Sequence, residues 1–264
     1  MPRTGRDSLI VALDVPTVDA ALRIVETLDN VSFFKVGLQL FLTGELPRLL
    51  EALRQKSLFV DLKVPGDIAN TIGSVIDLCV RMEVRFLTLS ESMPLSAIRG
   101  AKAARDRHGS KHPEFLTVPF LSSLDRDDLR AMTGSDDITA HILARAGAAL
   151  AAGCDGVVAS GQEIKFCRTS FPDTIIVSPG IRPHGSPTDD HKRFTTPSEA
   201  IRLGADYLVV GRPILKGSTP RKVAEAIMDE IDQAREDKAN LRSSSSDKPT
   251  QVFMPTTNPH GIAV

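Results

Sequence analysis

Cysteine is scarce in this chain of 264 residues. There are three, Cys79, Cys154 and Cys167, with no CxxC pair and no Cys/His spacing. An odd, unpatterned set argues against a disulfide framework or a zinc site and points to a reducing compartment. An excess of charge is missing too. The 32 basic and 33 acidic side chains leave a formal net charge of -1. Bulk charge therefore provides no footprint for nucleic acid or a membrane surface, and any phosphate site must be local. No long apolar run is present at the start. LIVAL at 9–13 stops at Asp14, too short for a secretion signal or a membrane span. The cytoplasm is the expected location. No internal repeat of fixed period is visible beyond a strand–helix unit.

What is present is an ordinary globular composition, 42% hydrophobic and 25% charged, in a length that suits one α/β barrel of about 250 residues. Eight short apolar runs stand out: LIVAL (9–13), FFKVG (33–37), LFVDL (58–62), RFLTL (85–89), EFLTV (114–118), GVVAS (156–160), IIVS (175–178) and YLVVG (207–211). Such runs read as strands buried on both faces, as in parallel sheets. Segments of helical spacing separate them, at 18–28, 45–56, 67–82, 94–108, 136–152, 163–170 and 196–203, and a last one at 220–237 follows the eighth strand. Eightfold alternation predicts a single (β/α)8 TIM barrel over 1–238, with a doubly wound open sheet as the competing architecture. Gly153 and Gly204 stand where left-handed helix caps are expected. The Ser-, Thr- and Pro-rich segment 239–264 reads as a disordered, flexible C-terminal tail outside that domain.

Polar residues gather at the C-terminal ends of the predicted strands: Asp14, Lys35, Asp61, Lys63, Ser122, Ser123, Arg182 and Arg212. In a barrel those ends converge on the face that carries active sites; the opposite ends show no comparable set. Asp61 and Lys63, two apart on an extended strand, should point the same way. With Asp67 close behind, Lys63 would be held as a cation between carboxylates. Such an ammonium is suited to stabilising negative charge and donating a proton, although a structural ion pair with Asp67 as a helix cap fits the same three residues. SPGIR (178–182) and Gly211-Arg212 leave strands seven and eight, where barrels often bind phosphate. The stretch 180–194 is long for such a loop and reads as a lid or as a surface insertion.

Taken in order, ALDV (12–15), FKVG (34–37), DLKVPGDIANT (61–71), SPGIRP (178–183), DDHKR (189–193) and DYLVVGRPI (206–214) resemble the successive motifs of the orotidine 5'-phosphate decarboxylase family, in its bacterial type. The resemblance spans residue 9 to about 216. It implies decarboxylation of orotidine 5'-phosphate to uridine 5'-phosphate, the last step of de novo pyrimidine biosynthesis, without metal or cofactor, in a homodimer with shared active sites. By the same resemblance Lys63, Asp61 and Asp67 form the catalytic array, with Asp67 arriving from the other subunit accompanied by Ile68 and Thr71. Asp14 holds a ribose hydroxyl, Lys35 contacts the ribose and the charged network, and Ser122 lies beside the pyrimidine. Arg182 and His191 belong to the gate loop, and Gly211 and Arg212 bind phosphate.

The chain departs from the family pattern in three places. DLKVPGD has one residue more than the family's DxKxxD, which a small bulge would absorb. DDH replaces the family's DDQ, so His191 stands for an amide. LTLSES (87–92) lacks a histidine that the family often has after strand four.

Loss of CO2 from the orotate ring leaves a carbanion that no π system delocalises. The expectation is that Lys63 stabilises and protonates it while Asp61 and Asp67 fix the ammonium. Two other functions remain open. One is a Mg2+-dependent sister enzyme acting on a keto-sugar phosphate, which shares the DxKxxD array. The other is a nucleotide-phosphate binder that has lost catalysis.

Overall fold

A computed structural model describes residues 3–67, 69–184 and 195–246. In chain order its elements are α1 (Gly5–Ser8), β1 (Leu9–Ala12), α2 (Val18–Thr27), β2 (Phe33–Gly37), α3 (Leu38–Phe41), α4 (Leu46–Ala52), β3 (Ser57–Val64), α5 (Ala69–Arg81), β4 (Val84–Ser90), α6 (Leu95–Arg107), β5 (Glu114–Val118), α7 (Arg126–Thr133), α8 (Ile138–Ala152), β6 (Gly156–Val158), α9 (Glu163–Ser170), β7 (Ile175–Ser178), α10 (Pro197–Leu203), β8 (Tyr207–Val210), α11 (Arg212–Leu215) and α12 (Pro220–Ser246). All strand pairings are parallel, and β8 returns to β1, so the sheet closes. The barrel alternative is therefore the one realised, and the open doubly wound sheet is not.

Closure sorts each strand by parity. Ile10, Phe33, Phe59, Phe86, Leu116, Val177, Tyr207 and Val209 point inward and pack together, while Leu9, Val11, Phe34, Val36, Leu58, Leu87 and Phe115 point outward into a second core beneath the helices. Burial on both faces explains why the strands are continuous apolar runs rather than alternating ones. The inner core is largely aromatic. Phe86 lies edge-on to Tyr207 and Phe59 at centroid distances of 5.0 and 5.8 Å and tilts against Phe33 at 5.3 Å. Truncating a ring so enclosed, as in Phe86→Ala, costs about 3–5 kcal/mol.

The helix caps follow expectation. Gly153 (φ +120°) and Gly204 (φ +118°) end α8 and α10. A Cβ at Gly204 would also meet Arg168 Cγ at 2.8 Å, so conformation and space both favour glycine.

Two sequence expectations need correction. The last helix does not stop near residue 238 but runs to Ser246, because the helix formers within AREDKANLR carry it into the first part of the segment expected to be a flexible tail. Residues 247–264 lie outside the described residues. The N-terminal ends of the strands also carry a charged set of their own. Asp155 accepts from Phe115 N at 2.7 Å and from Arg105 Nη1 at 2.6 Å; Asp206 accepts from Ile176 N at 2.9 Å and from Arg168 Nη2 at 2.6 Å. These carboxylates satisfy strand amides at the base of the barrel. Their partners come from helices distant in sequence, so strand-end composition alone did not reveal them.

Candidate active site

Two residues beyond the last inward-facing core residue of seven of the eight strands, the barrel turns polar or opens, β5 keeping apolar Val118 there. Ala12 leads to Asp14, Phe33 to Lys35, Phe59 to Asp61, Phe86 to Thr88, Val158 to Ser160, Val177 to Pro179 and Val209 to Gly211. All of these second members line one cavity of about 640 Å³. The site is thus the top layer of the barrel interior, set by the period of two along every strand. Lys63, Phe120, Leu121, Ser122, Gly180, Arg182 and Arg212 complete much of the wall.

At its centre lies a chain of alternating charge. Lys35 Nζ donates to Asp14 Oδ1 at 3.0 Å and stands 3.2 Å from Asp61 Oδ2; Lys63 Nζ donates to Asp61 Oδ1 at 2.9 Å. Lys35 is buried. Burial pushes its ammonium towards losing the proton, but the Asp61 and Asp14 carboxylates more than offset this, and its pKa lies above the ordinary lysine value. Asp61 is the converse. Burial raises its carboxyl, Lys35 and Lys63 outweigh that, and the pKa lies below the usual carboxylate range. Both groups are therefore charged at neutral pH.

Lys63 reaches this chain by an irregular backbone, not by the extended pleat that its spacing from Asp61 suggested. Between Val60 and Val64, β3 advances four residues while β4 advances only from Leu87 to Leu89. Within that bulge Lys63 adopts φ +49°, a left-handed conformation that costs a non-glycine residue about 1–2 kcal/mol. Thr88 on β4 holds it there. Its Oγ1 accepts from Lys63 N at 2.9 Å and donates to Asp61 Oδ1 at 3.0 Å. Thr88 was not singled out from the sequence. The available signal was its polarity in RFLTL, at the inward parity two residues after Phe86.

The other candidates divide. Asp14, Lys35, Asp61, Lys63, Ser122, Arg182, Gly211 and Arg212 all line the cavity. Arg182 is buried, and its Nη1 donates to Ile181 O at 2.9 Å. Its backbone N–H donates to Thr195 O at 2.8 Å, so the two ends of the long loop after β7 are tied together. Asp67 and Thr71 are exposed and are not among the residues lining this cavity. Among the described ion pairs Lys63 meets Asp61. Ile68 and His191 lie outside the described residues. Ser123 is exposed and does not line the cavity.

Residues 7–227 match the model of the Orotidine 5'-phosphate decarboxylase / HUMPS family. The chain belongs to that family. A curated orotidine 5'-phosphate decarboxylase of Rhodopseudomonas palustris (strain BisB5) is 44% identical over 233 residues, which cover 87% of this chain and 96% of that protein. One from Methylococcus capsulatus is 44% identical over 230 residues, 85% of this chain and 92% of its own. Among solved structures, the orotidine 5'-phosphate decarboxylase of Lactobacillus acidophilus superposes with a TM-score of 0.72 at 30% identity, covering 85% of this chain and 98% of that one. The match to the family model contains every cavity-lining residue named above, from Asp14 to Arg212. No helix among the described residues is long and apolar enough to cross a membrane.

Proposed function

We propose that this chain decarboxylates orotidine 5'-phosphate to uridine 5'-phosphate, the last step of de novo pyrimidine biosynthesis, with Lys63 as the group that stabilises and protonates the ring carbanion. The observation that carries the proposal is the Lys63 ammonium, held 2.9 Å from Asp61 at the mouth of the barrel. In the reaction the bond between ring carbon and carboxylate breaks, CO2 departs, and the electron pair stays on the ring carbon. Lys63 lies beside that carbon, offsets the growing charge, and then delivers a proton to it. A preorganised ammonium acts without reorganisation, and this chemistry calls on neither metal nor organic cofactor.

The remaining assignments belong to the same proposal. Asp14 and Lys35 take the ribose, Ser122 the pyrimidine, and Gly211 and Arg212 the phosphate, with Arg182 and His191 in the closing loop. Phosphate contacts remote from the reacting carbon contribute binding energy that closes the site and excludes water. Asp67 acts in the cavity of a second copy of the chain, with Ile68 and Thr71 beside it. The exposed side chains Leu38, Phe41 and Leu42 after β2 and Leu121 after β5 support such pairing, since Leu38 and Leu121 also line the cavity and bring apolar surface to its rim. A reducing cytoplasm suits the three buried, unpaired cysteines.

The test is a decarboxylation assay on the purified chain with and without a chelator. We expect chelator-insensitive turnover that Lys63→Ala abolishes while circular dichroism reports an intact fold. Substantial turnover by Lys63→Ala refutes the role of Lys63. Turnover that needs Mg2+ favours the keto-sugar phosphate enzymes, and tight binding of uridine 5'-phosphate without turnover favours a binding protein.

A further inference from the structure

The wall of the cavity formed by the segment after β5 is backed by a polar pair that the proposed chemistry does not use. Phe120 is buried and lines the cavity, and Ser122 lines it two residues later. Behind Phe120, in the first turn of α8, stands His141. The two rings meet edge to face, with centroids 5.7 Å apart and planes at 74°. On its other side, His141 Nε2 faces Glu91 Oε2 at 3.7 Å. Both atoms are shut off from solvent, and neither has a hydrogen-bond partner among the described residues. Glu91 follows β4 and is itself held by α8, because Arg145 Nη2 donates to its backbone carbonyl.

Two buried polar atoms left unsatisfied are costly, and a spacing of 3.7 Å is too long for a direct hydrogen bond. A small approach of α8 towards the segment after β4 satisfies both at once, with Nε2–H donating to Oε2. Because the imidazole lies against Phe120, that approach carries the cavity wall with it.

We propose that His141, oriented by Glu91, is a positioning residue that sets Phe120 and Ser122 against the substrate's ring. It touches no reacting atom and acts through Phe120. This inference rests on the decarboxylase reading for its substrate but not for the contact itself. A wall that touches the ring in the ground state and the transition state alike changes KM rather than kcat.

The test compares His141→Leu, which keeps bulk but removes the donor, with His141→Gln, whose amide nitrogen reaches the same place. His141→Leu is expected to raise KM for orotidine 5'-phosphate several-fold, with about tenfold, the size of one hydrogen bond, as the ceiling, and to change kcat by less than about twofold; His141→Gln is expected to restore most of the loss. Glu91→Leu should behave as His141→Leu does, and the double variant should be no worse than either, since both remove the same contact. A purely structural role would lower the melting temperature and leave KM unchanged, which overturns the proposal, as would additive losses in the double variant. A readout independent of turnover is the His141 ring resonance in protein carrying 13C-labelled histidine. It should move in Glu91→Gln. If it does not, the pair is refuted whatever the substrate, whereas a moved resonance in a chain without decarboxylase activity sinks the decarboxylase reading and leaves the contact standing.

Discussion

Replacing Thr88 by valine tests the argument about the bulge most directly. Valine has nearly the shape of threonine, so packing at this buried position is kept and only the hydroxyl is lost. Two hydrogen bonds go with it: the one accepted from Lys63 N at 2.9 Å and the one donated to Asp61 Oδ1 at 3.0 Å. The first is a neutral bond worth about 0.5–1.5 kcal/mol, and the second reaches a carboxylate and is worth about 1.5–3 kcal/mol. The expected loss of stability is therefore about 2–4.5 kcal/mol, read as a lower midpoint in urea with an unchanged slope. Activity should fall further than stability requires. Without its anchor, Lys63 can relax from φ +49°, and a displacement of the reacting group by about 1 Å can cost on the order of a hundredfold in rate. Thr88→Ser keeps the hydroxyl and should retain most of both quantities. If Thr88→Val matches the wild type in urea midpoint and kcat, the hydroxyl does not hold the bulge, and the account given for Lys63 fails.

Arg212→Ala should weaken uridine 5'-phosphate binding by at least about tenfold and leave uridine nearly unaffected, as calorimetry can establish; equal losses for both would remove the phosphate contact. Stability should depend on pH through the buried pair. Asp61 has a pKa below its ordinary 3.8 in the folded chain, so its contribution is present above that value and drains away as pH falls through the lower folded one. Lys35 has a pKa above its ordinary 10.5, so its share is complete below 10.5 and is lost as pH rises through the higher folded value. Asp61→Asn should then flatten the acid limb of a urea-midpoint profile, and an unchanged limb would assign the acid loss elsewhere. Arg235→Met should lower the melting temperature, because Arg235 ties α12 to α1 and to the start of β8: Nη2 donates to Ser8 Oγ at 2.6 Å and to Asp206 O at 3.1 Å, and Nη1 to Thr4 O at 3.1 Å. The cost should be about 2–4 kcal/mol, and a thermal shift of zero would argue that these bonds merely replace water.

The barrel was legible because burial on both faces leaves each strand as an unbroken apolar run, and its site because period-two arithmetic carries Phe33 to Lys35 and Phe59 to Asp61. Other features were less visible. The helices α1, α3 and α11 have four residues each, too few to show a helical period. By contrast α7 carries plain local signals, an Asp125–Asp128 capping box at one end and a left-handed Gly134 at the other. The bulge at Lys63 could not be read from β3 alone, since register exists only between two strands. Thr88 was hidden for the same reason: a threonine in an apolar strand is unremarkable until the residue opposite is known.

The geometry gives a physical reason for treating the two lysines of the site differently. Lys35 lies between Asp14 and Asp61, its side chain 9% exposed, with a carboxylate on either side. Both carboxylates are committed to its charge, and moving that ammonium or taking its proton would break two ion pairs at once, a buried one to Asp61 and one to the exposed Asp14. Lys63 ends the row. It has Asp61 on one side, and its side chain is 40% exposed towards the cavity. A proton donor must reach the substrate and survive the loss of its proton, and the more exposed Lys63 fits the role proposed for it better than Lys35 does. Lys35 then acts by holding Asp61 ionised and in place, so that Asp61 can hold Lys63. On the proposed roles, damage at Lys35 should reach the chemistry through Asp61 and through the ribose contact, whereas damage at Lys63 should remove the chemistry itself.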